Sequence, residues 1–119
     1  MDELIARLVS NVGVDRAAAE KSVGIILDFL VKEGPPDKVQ ALIDKMPGAQ
    51  ALLQASDAGG GGFSMGGLMG AGTKMMEAGL SMGQVQGVTK EVIAYSREKA
   101  GEDAIGEIVG AIPGLSQFV

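Results

Sequence analysis

The stretch that decides the fold is VQALIDKMPG, residues 39–48. Its apolar positions follow the i, i+3, i+4, i+7 spacing of one helix face: Val39, Leu42, Ile43 and Met46. Pro47 cannot donate a backbone hydrogen bond and Gly48 tolerates left-handed backbone, so this pair ends a helix. The stretch therefore predicts an amphipathic helix with one buried face and a sharp stop.

The residues before this stretch predict two more helices, and strand signals are nearly absent. Asp2 can cap a first helix that ends at Gly13, and Asp15 can cap a longer one that ends at Gly34. The apolar face of the first helix is expected to comprise Leu4, Ile5, Leu8, Val9 and Val12. A third helix starts near Pro36 and includes the deciding stretch, and a short helix is predicted over residues 49–55.

The same pattern returns 66 positions later without a gap. Gly79 stands at the place of Gly13, and Pro113-Gly114 at the place of Pro47-Gly48. The apolar quartet also recurs, as Ile105, Ile108, Val109 and Ile112. This offset predicts two tandem helical repeats, over residues 4–53 and 70–119. Only the first helix fails to match, because the apolar residues of its second copy are out of phase with Leu8 and Val12.

Four consecutive glycines, residues 59–62, interrupt the pattern. Glycine has high backbone entropy, so we interpret residues 56–64 as a Gly-rich linker between the repeats. Each repeat has only about fifty residues, a size at which a separate core is marginal. The predicted fold is therefore all-α, a compact array of six to eight short helices in one domain, residues 1–119.

Composition excludes several function classes. The formal net charge of −5 is spread over both halves without a basic patch, which disfavours nucleic acid and anionic membrane surfaces as partners. Apolar residues make up 46% of the chain and aromatic residues only 3%, so the core is expected to be aliphatic. The longest uncharged run, residues 58–73, is too short and too glycine-rich for an integral membrane segment.

The chain has no cysteine and no histidine. Thiolate metal sites, disulfides and the commonest general base are thereby removed, and we predict no catalytic, cofactor-binding or metal-ligating residue. The acidic start differs from a signal peptide, which favours a soluble, cytoplasmic protein. An enzyme that uses only Asp, Glu, Lys, Ser or Tyr is the remaining alternative to a non-enzymatic protein.

Residues 67–74, GLMGAGTK, superficially match a phosphate-binding loop. That loop requires Lys before Ser or Thr and a strand leading into it, whereas here Thr73 precedes Lys74 and no strand is predicted. A glycine-softened helix is the better interpretation.

The segment over residues 63–83 is the candidate interaction surface. Its apolar residues are Met65, Leu68, Met69, Met75, Met76 and Met82. Flexible methionine surfaces bind varied apolar partners, although methionines at helical spacing also fill cores. Glycines at four-residue spacing, such as Gly79, Gly83 and Gly87, predict a groove where a neighbouring helix approaches closely.

Two stretches carry a resemblance to known families: residues 13–48, from Gly13-Val14-Asp15 to Pro47-Gly48, and residues 79–114, from Gly79-Leu80-Ser81 to Pro113-Gly114. With the Gly-rich linker between them, they resemble the small VcgC/VcgE-like and YidB-like families. The resemblance implies a multihelical bacterial protein without an assigned activity, and it carries over no catalytic residue.

These patterns lead to one main functional hypothesis, a non-enzymatic helical module that binds a partner protein or forms a homodimer. The alternative is a protein that binds an apolar ligand or a membrane surface through residues 63–83.

Overall fold

Several helices begin and end at residues that the sequence marks for these roles, among them Asp15, Gly34 and Ser81. The computed structural model describes residues 2–46, 48–52 and 67–112, and for Lys32, Pro36, residues 67–69 and residue 71 it describes the backbone alone. The helices are α1 (Asp2–Arg7), which runs into a π-helical turn (Leu8–Val12), α2 (Arg16–Glu33), α3 (Pro36–Lys45), α4 (Gly67–Glu77), α5 (Met82–Ala100) and α6 (Glu102–Ala111). Residues 49–52 are also helical, and the described residues contain no strand, so the all-α prediction is confirmed.

The two long helices, α2 and α5, start at side-chain caps. The Asp15 carboxylate accepts a hydrogen bond from the Ala18 amide at 2.9 Å. Ser81 and Gln84 form a reciprocal capping box, in which each side chain accepts from the other residue's backbone amide. Before each cap the chain turns at a glycine with positive φ, Gly13 at 85° and Gly79 at 107°.

The α2 and α5 helices pack against each other at the centre of the molecule. The α4 helix packs mainly on α2, whereas the π-turn packs mainly on α5 and α1 contacts α2 and α5 to a similar extent. The α3 and α6 helices contact each other, and the Lys38 ammonium pairs with the Glu107 carboxylate between them. The core is aliphatic as predicted, since Phe29 and Tyr95 are the only aromatic side chains in the described core.

Helices that lie 66 positions apart in the chain start at matching positions. The α5 helix starts 66 residues after α2, and α6 starts and ends 66 residues after α3. Val14 and Leu80, which follow the two turn glycines, are buried to the same extent. The apolar quartets of α3 and α6 are also fully buried. That the two sets of helices arose by an internal duplication remains a prediction.

The π-turn at Leu8–Val12 explains why the first helices are out of phase. The Gly13 amide donates to the Leu8 carbonyl five residues back, at 3.2 Å. Leu8 and Met75 are both core residues. Val12 follows Leu8 by four positions, whereas its counterpart Ala78 follows Met75 by only three. The π-turn therefore accommodates one extra residue in α1. It also turns Val9 outward, where 41% of the residue is exposed, so the prediction of Val9 as a core residue is wrong.

The helices form a compact body with a radius of gyration of 12.7 Å, close to the roughly 13.5 Å typical of this chain length. Among the described helices, none combines the length and apolar character needed to cross a membrane.

Candidate functional site

The structure divides the predicted methionine surface. Met65 lies outside the described residues, and Leu68 and Met69 belong to α4, where only their backbone is described. Met75 is 1% exposed and is a core residue, so it offers no surface to a partner. Met76 and Met82 are 40% and 58% exposed, and they lie on either side of the turn between α4 and α5.

The glycine series around this turn does not form the predicted groove. Gly79 lies in the turn rather than on a helix, and a Cβ atom at Gly83 would meet nothing within 4 Å. Only Gly87 marks a close approach, because a Cβ atom there would lie 3.2 and 3.3 Å from the two Val12 methyl carbons. The four-residue spacing therefore has a packing role at a single position.

A cavity of about 320 Å³ opens where the two helix-starting turns meet, and we refer to it as the turn cavity. It is lined by residues 13–15, by Ala17, Ala18 and Lys21 of α2, by residues 78–80, and by Gln84 of α5. The Gln84 side chain joins the two turns, since its Nε2 donates to the Gly13 carbonyl oxygen at 3.4 Å while its Oε1 accepts from Ser81. Side-chain caps and this bridge therefore fix the walls.

The turn cavity and the Val12–Gly87 contact occupy corresponding places. Ala78 stands 66 positions after Val12, and Lys21 stands 66 positions before Gly87. In the first pair of positions a valine side chain lies so close to a glycine that an added Cβ atom would require the valine to move by a few tenths of an ångström. In the second pair, Ala78 and Lys21 face the cavity. Where the cavity is open, the turn thus has Ala78 in place of valine, and the helix has Lys21 in place of glycine.

Two ionisable side chains of opposite charge line the turn cavity. One Asp15 oxygen, Oδ1, accepts from the Ala18 amide. Lys21 is exposed and forms no hydrogen bond or ion pair with any residue in the described part of the chain. The cavity thus presents a carboxylate that is partly engaged and an ammonium group that is available to solvent or a ligand.

A second polar cluster joins α1 to α5. The Arg7 guanidinium donates two hydrogen bonds to Glu98, at 2.6 and 2.8 Å, and one to Glu3 at 3.0 Å. Arg7 and Lys99 also lie 5.6 and 5.3 Å from the centre of the buried Tyr95 ring. The hydrogen bond from Arg7 holds the pKa of the Glu98 carboxyl below its usual value, and the same bond raises the pKa of Arg7. Each group here has its partner, so the cluster fastens two helices.

The described residues offer no group of three or more carboxylates placed to hold a metal ion. Comparisons with protein-family models, with curated proteins and with solved structures find no match to this chain. The geometry is therefore the basis for any functional proposal. Its candidate sites are the exposed methionines Met76 and Met82 and the turn cavity.

Sequence reasoning missed Lys21 and Gln84. The Ser81-x-x-Gln84 spacing is a visible capping-box signal, so the role of Gln84 at the start of α5 could have been expected. Its second bond, to Gly13, joins residues 71 positions apart and depends on how the halves pack. Lys21 carried no local signal, because an exposed lysine on a helix is ordinary.

Proposed function

We propose that the protein is a non-enzymatic helical module that binds a partner protein or self-associates through the surface around Met76 and Met82. The exposure of Met82 supports this proposal most directly. At the corresponding place in the first half the chain has Arg16, which pairs with Asp2 at 3.2 Å. The fold therefore accepts a charged residue at this place, so folding alone does not require an apolar side chain with 58% exposure there.

Methionine suits this role because its flexible, polarisable side chain adapts to different apolar surfaces. Met76 adds a second exposed apolar group to the same helix–turn–helix segment. The lack of His and Cys in the chain supports the non-enzymatic part of the proposal. Cytoplasmic location and membership of the VcgC/VcgE-like or YidB-like families are proposals that rest on the sequence alone.

Sedimentation velocity over a wide range of protein concentrations tests self-association. We expect the native protein to sediment faster as its concentration rises, and the variant with Met76→Glu and Met82→Glu to remain a monomer, because buried charges oppose an apolar contact. Val31→Glu is the matched control, since Val31 is 37% exposed on α2, outside this segment.

A partner protein is tested by affinity capture with the same three proteins. If the native protein is a monomer at every concentration, and captures nothing that the Met76→Glu, Met82→Glu variant fails to capture, the proposal is wrong.

Binding to an apolar ligand or a membrane surface is the second candidate, supported by the same two exposed methionines. Because the protein has a net charge of −5, vesicles of zwitterionic phosphatidylcholine, which carry no net charge, are the suitable probe. Flotation of the native protein, but not of the double Glu variant, with these vesicles would favour this function over a protein partner.

A further inference from the structure

The turn cavity is the open counterpart of a contact that is closed elsewhere in the molecule. At the closed place, the Val12 side chain rests on Gly87 so tightly that a Cβ atom would lie 3.2 Å from a methyl carbon. At the corresponding place, Ala78 and Lys21 leave a cavity of about 320 Å³. At the closed place an aliphatic side chain thus occupies the helix surface, whereas its counterpart Ala78 is too short to do so at the cavity.

The walls of the turn cavity suit a small ligand with an aliphatic part. Ala17, Ala18, Ala78 and the edge of Leu80 supply methyl and methylene groups. A volume of about 320 Å³ is at the lower end of the range for small-molecule sites, which starts near roughly 300 Å³. The capping bonds and the Gln84 bridge hold the walls in place without a ligand, which lowers the entropic cost of binding.

The two charged side chains that line the cavity determine which polar groups a ligand there should carry. Asp15 and Lys21 are the ionisable residues among its lining, and both belong to the first two turns of α2 or its cap. Lys21 lies six positions after the Asp15 cap, about 9 Å along the axis and roughly 120° around it, and both residues line the cavity. A ligand that carries an anionic and a cationic group on neighbouring atoms can meet both, whereas a singly charged ligand leaves one unpaired.

We propose that the turn cavity binds a small aliphatic α-amino acid in its zwitterionic form. The ligand carboxylate pairs with the Lys21 ammonium group, and the ligand ammonium group pairs with the Asp15 oxygen that does not cap α2. The side chain of the ligand lies against Ala78 and Leu80. The cavity does not include Met76 or Met82, so ligand binding there does not depend on the proposed function.

Titration with L-valine, followed by ¹H–¹⁵N NMR, tests the proposal on the full chain. We expect saturable shifts at the amides of Gly13, Ala18, Lys21 and Gly79. Isovalerate lacks the ammonium group and isobutylamine lacks the carboxylate, while both keep the branched side chain. Each should bind at least about tenfold more weakly than L-valine, because each loses one charge-assisted hydrogen bond.

Three variants assign the site. Asp15→Asn keeps a side chain that caps the helix but removes the charge, and Lys21→Met keeps the stem but removes the ammonium group. The double variant Lys21→Gly, Ala78→Val copies the closed Val12–Gly87 pair into the cavity. We expect the single variants to weaken L-valine binding at least about tenfold and the double variant to abolish it. Lys90→Met, at an exposed lysine of α5, is the control that should bind normally.

The proposal is overturned if L-valine produces no saturable shifts at the cavity, or if isovalerate or isobutylamine binds as tightly as L-valine. It is also overturned if all the cavity variants bind like the native protein. Should the double variant fail to fold, Asp15→Asn and Lys21→Met decide the outcome alone.

Discussion

The glycines of α5 show that a four-residue spacing does not by itself indicate a close helix contact. Gly83 and Gly87 lie one turn apart on α5, yet only Gly87 has a neighbour, Val12, within contact distance. Alanine favours a helix over glycine by about 1 kcal/mol in either position. At Gly83 the added methyl group would lie in open space, while at Gly87 it would press on Val12.

We therefore expect Gly83→Ala to raise the free energy of unfolding by about 0.5–1 kcal/mol. Gly87→Ala should gain less, and Gly87→Val should lower it by about 1–3 kcal/mol through overpacking. Urea unfolding of the three variants measures this order. A Gly87→Val variant as stable as the native protein would show that the contact has no tight packing.

The Arg7–Glu98 pair predicts a pH dependence with a definite sign. Because Arg7 lowers the folded-state pKa of Glu98, the pair stabilises the fold above the unfolded glutamate value of about 4.3. This contribution disappears as the pH falls from that value through the lower folded-state pKa. Glu98→Gln should therefore lower Tm at neutral pH and approach the native Tm in acid.

Thermal unfolding from neutral pH to acid, with Glu33→Gln as the control at another exposed carboxylate, measures this effect. The difference should also shrink with added salt, since both partners contact solvent. A Tm difference for Glu98→Gln that is constant over this range would contradict the role of the ionised carboxylate.

At the scale of elements, the sequence predicted most helix ends because local chemistry sets them. Asp15, Gly34 and Pro36 each act within one turn of their own position, and the structure places the ends of α2 and the start of α3 there. The register of α1 was not predictable in this way. The extra residue of the π-turn is visible only when Leu8 and Met75 are seen in the same core.

Deletion of Asn11 tests the interpretation of the π-turn. Removing one residue should convert the turn to ordinary α-helix, with Leu8 and Val12 spaced like Met75 and Ala78. We expect helix content to persist by circular dichroism and the stability to change by less than about 2 kcal/mol. Deletion of Glu20 inside α2 is the control, since it rotates the preceding residues by about 100° and should severely destabilise the fold.

At the scale of the whole molecule, the sequence predicted an aliphatic core shared by both halves, and the buried quartets of α3 and α6 agree. It could not predict which helices meet. The packing of α4 on α2, and of α1 on α5, depends on side-chain shapes far apart in the chain. For the same reason the turn cavity was missed, whereas Met76 and Met82, two of the six candidate residues, are exposed in the structure.

Because the helices of the two halves share one core, unfolding should be a single cooperative transition. Leu42→Ala and Ile108→Ala, at fully buried positions of α3 and α6, should each lower the free energy of unfolding by about 2–5 kcal/mol. Either variant should shift the whole transition. Hydrogen exchange measured residue by residue would contradict this if one variant destabilised only its own half.

The position of α1 affects how the chain can fold during its synthesis. The ribosome makes α1 before α5, and the Glu98 side chain that holds Arg7 is added 91 residues after it. Until then Leu4, Ile5 and Leu8 lack a large part of the surface that covers them. A nascent chain therefore carries an apolar helix that only α2 can cover in part, and the remaining apolar surface is exposed to chaperones or to wrong contacts until α5 has left the ribosome.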